Sequence, residues 1–190
     1  IPHCAVLFDH ERTCLPTEEA YSQDVASYVR LLAESNLTST CVQRIATLDD
    51  AALARYEALF APGLNELDPA VLPSLLRWVE NGGTLYVDGL LAGAGAPQAG
   101  GALPDLPWLG LTNRGGPLRT FADILELDAE GQHPIDEMIR VDRPVSAIAA
   151  SATPLLYAHV GARGRQPIVW QNRLGQGRVI YLAGRLGKRI

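Results

Sequence analysis

The chain has 190 residues, 47% of them hydrophobic and 19% charged, with a formal net charge of −5. That balance supports a substantial core and excludes a disordered tail, while the acidic pI near 5.3 gives no electrostatic reason for nucleic acid or an anionic membrane as partner. No apolar run approaches the roughly 18 residues a membrane-spanning helix needs.

The chain opens on Ile1-Pro2-His3, without an initiator methionine or a charged-then-apolar leader. It closes on Arg185 to Ile190, directly after a strand-like run. Both ends read as cut, so the expectation is one domain, residues 1–190, from a longer chain. Three cysteines, Cys4, Cys14 and Cys41, match no zinc or CxxC spacing. Reduced thiols, a cytoplasmic setting and no metal or cofactor are the corresponding expectations.

"CAVLFD" (4–9) is a continuous apolar run, as in a strand buried on both faces. A helix follows, with Thr17 as cap, Glu18 and Glu19 in its first turn, and Tyr21, Val25, Tyr28 and Leu32 on one buried stripe. "STCVQRI" is a second strand and 49–55 a short helix. Residues 56–61 are a third strand. Asp68 then caps a helix with Pro69 at its first position, leaving Pro73 awkwardly inside it. Leu72, Leu75, Leu76 and Val79 form the inner face of that helix, and Gly82-Gly83 ends it. Residues 84–88 are the fourth strand. The alternation predicts an α/β fold with a doubly wound, flavodoxin-like parallel sheet and helices on both faces.

The second half changes character. Residues 90–116 read as a glycine-rich loop broken by the apolar knot "LPDLPWLGL". Residues 117–190 read as β-rich, ending in the hairpin "PIVWQNRLGQGRVIYLAG" with Gly175-Gln176-Gly177 as its turn. Trp78, Trp108 and Trp170 are spread along the chain and read as core and interface packing rather than a sugar platform, with Trp108, in a loop, open to either role.

In open α/β sheets ligands collect beyond the carboxyl ends of the strands. The crevice residues at those ends are Asp9, His10 and Glu11, then Gly63, Asn65 and Glu66 beside Pro62, then Asp88 and Gly89. Carboxylates and a histidine there could bind a metal or act as acid and base, but the same residues serve equally as caps and solvated loop ends. Nucleophilic catalysis lacks its nucleophile: no GxSxG occurs, and the corner Asp88-Gly89-Leu90 carries neither cysteine nor serine. "GAGAPQAGG" (93–101) has no P-loop lysine. No catalytic residue is assigned.

The segment "LFAPGLNELDPAVLPSLLRWVENGGTLYVDG" resembles the class I glutamine amidotransferase-like superfamily. In its enzymes a proline-glycine turn, matched here by Pro62-Gly63, supplies an oxyanion hole, and the next corner carries a cysteine. That corner holds Asp88 and Gly89 instead, and the family's His-x-Glu is missing. A closer resemblance is to the trimerisation domain of microbial β-galactosidases, a catalytically silent relative that follows a TIM barrel. "AVLFDHE", "YSQDVASYVRLLAESNL", "YEALFAPGLNELD", "GGTLYVDG", "LPDLPWLGL" and "NRLGQGRVIYLAG" carry it in order. The resemblance implies a non-catalytic oligomerisation module of a carbohydrate-active enzyme. It would form a homo-oligomer through this domain or with an upstream barrel, with carbohydrate nearby. The alternatives are an amidotransferase-like hydrolase and a small-molecule or sugar-binding module.

Overall fold

A computed structural model of the chain describes residues 4–8, 19–35, 37, 41–44, 48–62, 70–89, 107–112, 124–129, 138–142, 148–159 and 164–186. Three helices occur among them: α1 (Glu19–Glu34), α2 (Asp50–Leu53) and α3 (Leu72–Glu80). The strands of the first half are β1 (Cys4–Phe8), β2 (Cys41–Arg44), β3 (Ala58–Ala61) and β4 (Thr84–Asp88). A 3-10 turn at Pro107–Leu109 leads into β5 (Leu111–Thr112), followed by β6 (Ile124–Ala129), β7 (Met138–Asp142), β8 (Ile148–Ala149) and β9 (Thr153–His159). The remaining strands are β10 (Arg165–Leu174), β11 (Gly177–Leu182) and β12 (Arg185–Leu186).

Ten strands form one mixed sheet in the order β12-β7-β6-β9-β10-β11-β4-β3-β1-β2, and β5 pairs with β8 in a separate ribbon. The five strands β2-β1-β3-β4-β11 run parallel, and β11 turns back against β10 to begin the antiparallel part. The terminal hairpin therefore belongs to both halves: one arm completes the parallel core and the other starts the antiparallel extension. Pro167, which has no N–H to give a ladder, lies where the β9–β10 register shifts.

Helices pack on both faces of the parallel core. In β1, Ala5, Val6 and Leu7 are fully buried, because alternate residues meet different layers. Val6 and Phe60 face Tyr28 and Leu32 of α1. There Phe60 stacks on Tyr86 at 4.4 Å, and Tyr28 leans on Phe60 at 5.8 Å. On the other face Ala5, Leu7, Leu59, Leu85 and Val87 meet Leu53 of α2 and Leu75 and Val79 of α3. Burying each leucine or valine among these contributes about 1.5–3 kcal/mol. The stripe expected on α1 is present at Val25, Tyr28 and Leu32; the Tyr21 side chain and Thr17 lie outside the described residues.

Helix α3 begins later than its sequence suggests. Its N-cap is Val71, without a side-chain cap, and Pro73 falls in the first turn. That position corrects the reading of Pro73 as an interior misfit: a first-turn N–H has no intrahelical partner to lose. Asp68 and Pro69 lie outside the described residues. Asp49 does cap α2, its Oδ1 accepting from the Ala52 N–H at 2.7 Å.

The far end of α3 is closed by the terminal hairpin. The Gln176 N–H donates to the Glu80 carbonyl at 2.8 Å, and the Arg178 N–H to the Gly83 carbonyl at 3.1 Å. The turn itself is two residues, Gly175-Gln176, since Leu174 pairs directly with Gly177. Gly177 is therefore a strand residue, and it is glycine for steric reasons. A Cβ there would collide with the backbone oxygens of Val79 and Gly83.

A second polar knot ties the β5–β8 ribbon to the sheet. Buried Asn172 of β10 donates from Nδ2 to the Trp108 carbonyl at 3.0 Å, and its Oδ1 accepts from the Ser151 hydroxyl at 3.0 Å. Gly110, at φ +66°, turns its carbonyl toward the N–H groups of Ala150, Ser151 and Ala152.

Candidate functional site

Strand β4 carries Asp88 to its carboxyl end, where Val87 lies beside Ala61 of β3 and Asp88 beside Leu182 of β11. The chain then bends at Gly89, whose φ of +112° is a conformation that L side chains rarely adopt. The bend is held on both sides. The Gly89 N–H donates to the Gly184 carbonyl at 2.6 Å, and the Gly89 carbonyl accepts from the Tyr181 hydroxyl at 2.9 Å. Asp88, Gly89 and Tyr181 are all buried.

Burial, with the Asp88 charge as second cause, pushes the Tyr181 hydroxyl far above the ordinary tyrosine range. It therefore stays protonated and serves as a donor, committed to the Gly89 carbonyl. Asp88 is fully buried. The Cys4 thiol, at the opposite end of β1, is also pushed up, first by burial and then by Glu57. It is held in the poorly nucleophilic thiol form.

Of the crevice residues read from the sequence, the structure places Asp88 and Gly89 together and adds Tyr181 and Gly184 to them. Asp9, His10, Glu11, Gly63, Asn65 and Glu66 lie outside the described residues, as do Cys14, His133 and 90–106. Pro62 is buried at the end of β3. Among the described residues no group of three or more His, Cys, Asp or Glu side chains is placed to hold a metal ion.

Tyr181 was within reach of sequence reasoning only in part. Alternation along "GRVIYL" puts it on the face of Gly177 and Val179, and those residues are buried. Its meeting with Gly89 depends on β11 lying parallel to β4, a pairing that no local pattern announces.

A cavity of about 590 Å³ opens at the other end of the same strands. It is lined by Tyr56 and Glu57 just before β3, Gly82 and Gly83 just before β4, and side chains of α2 and α3. Trp78 forms one wall. Its indole N–H donates to the Tyr56 carbonyl at 3.3 Å, and its ring rests against Gly83, where a Cβ would overlap it.

No family model matches the chain, and no curated protein matches it in sequence. Solved structures do match in fold. The β-galactosidase from Bacillus circulans sp. alkalophilus aligns with 97% of this chain at a TM-score of 0.73 and 18% identity. The β-galactosidase from Rahnella sp. R3 aligns with 98% at 0.72 and 19% identity. The chain spans 29% of the length of each of these two structures. A ThuA-like protein from Bacteroides uniformis aligns with 97% of this chain and 82% of its own length, at a TM-score of 0.62 and 16% identity.

Proposed function

We propose that this domain is a non-catalytic assembly module of a carbohydrate-active enzyme of the β-galactosidase type, and that it builds a homo-oligomer. The observation that carries the reading is the closed corner after β4. The position where an amidotransferase-like enzyme holds its cysteine is occupied by a buried aspartate and a glycine, and the adjoining Tyr181 hydroxyl is committed to the backbone. The near-complete alignment with a 29% portion of two β-galactosidase chains supports a module within a longer enzyme. The strand order β2-β1-β3-β4-β11 with helices on both faces supports a doubly wound, amidotransferase-like core for residues 1–190.

In this reading the turnover belongs to a barrel elsewhere in the parent protein, and the domain contributes contacts between subunits. Glutaminase and glycosidase assays on the purified chain, with glutamine and nitrophenyl β-galactoside as substrates, test it. The expected result is no turnover above the buffer rate with either. Turnover that is lost in Asp88→Asn would replace this reading with the hydrolase one.

A further inference from the structure

We propose that the cavity between α2 and α3, at the amino ends of β3 and β4, is a binding site for a neutral saccharide. It lies at the opposite end of the strands from the Asp88 corner, and the proposal stands whether or not the domain assembles subunits.

The space fits. About 590 Å³ falls within the roughly 300–1,000 Å³ of small-molecule sites. The cavity's accessible apolar surface comes from Ala54 and the half-buried Trp78, since Leu53 and Tyr56 are almost wholly buried. Trp78 adds an indole fixed at two points, by its N–H bond to Tyr56 and by the backbone of Gly83 under its ring. A rigid aromatic wall can accept the C–H face of a pyranose without losing side-chain entropy at that moment.

The polar groups suit hydroxyls. Asp50 on α2 and Arg77 on α3 face one another at 3.4 Å, with side chains 72% and 56% exposed. A pair that long and that wet contributes little, so a ligand can engage either head at small cost. Sugar hydroxyls donate to the carboxylate and accept from the guanidinium at once, and the Asn81 amide offers both functions again. Two carboxylates, Asp50 and Glu57, outnumber the single Arg77 guanidinium in the lining, so an anionic ligand is disfavoured relative to a neutral polyol.

Saturation-transfer NMR and calorimetry on the chain, with galactose, glucose, mannose and galacturonate, test the proposal. Saturable binding of at least one neutral sugar is expected, with a Kd on the order of 1 mM for so open a site. Arg77→Ala and Asp50→Ala should each weaken it about tenfold with the thermal midpoint nearly unchanged, because both side chains are exposed. Three results would overturn the assignment: no saturable neutral-sugar signal well above the millimolar range, equal affinity in both variants, or tighter binding of galacturonate than of galactose.

Discussion

The Tyr181 hydroxyl and the Gly89 carbonyl meet at 2.9 Å across 92 residues of sequence, and that bond joins the fifth parallel strand to the bend after the fourth. Both ends of the bond are buried, so removing the hydroxyl leaves a carbonyl without its donor. Tyr181→Phe should cost about 1–3 kcal/mol in urea unfolding, with the secondary structure retained by circular dichroism.

The same residue gives a pH signature. Its folded-state pKa is raised above the ordinary value of 10.0 by burial and then by Asp88. The stability this protonation contributes is complete below pH 10 and declines as pH rises beyond it, since the unfolded chain loses its proton first. The stability difference between the native sequence and Tyr181→Phe should therefore narrow above pH 10. Denaturant titrations across that range check the slope; a gap that widened would contradict the assignment.

Gly177 and Gly164 offer a contrast that separates steric from conformational causes. A Cβ at Gly177 would strike the backbone of Val79 and Gly83, whereas one at Gly164 meets nothing within 4 Å and only the strain of a φ of +67°. Gly164→Ala should cost about 1–2 kcal/mol. Gly177→Ala should cost about 3 kcal/mol or more, because two backbones must separate. Equal losses would show that the hairpin does not seat on the end of α3 as described.

Asn172 is a third point of leverage. Asn172→Asp keeps the size and the acceptor for Ser151 but removes the donor to the Trp108 carbonyl, and it places a charge at a buried position. It should destabilise by about 2–4 kcal/mol at neutral pH, and less at acid pH where the carboxyl is protonated. Ser151→Ala, at an exposed residue, should stay within about 1 kcal/mol. Thermal melts at two pH values distinguish the cases.

The first half of the chain was legible because its signals are local. A continuous apolar run marks β1, Asp49 marks the start of α2, and Gly82 marks the end of α3, where φ is +114°. Pro73 was misread because Asp68-Pro69 looks like a helix start, which would put Pro73 a full turn inside; only the true start of α3 decides. In the second half the β-rich character and the terminal hairpin were legible and the strand order was not. The placement of β11 beside β4, and with it Tyr181 against Gly89, depends on contacts between residues far apart in sequence. The cavity beside Trp78 was invisible for the same reason: Asp50, Tyr56 and Asn81 come from separate elements and signal nothing singly.

The central claim, that this domain serves assembly, is tested most directly by its mass in solution. Sedimentation equilibrium across a wide concentration range should return a concentration-dependent mass rising to a homo-oligomer, expected as three copies of the 20.4 kDa chain. A mass that stays at a single copy even at the highest concentration would contradict it.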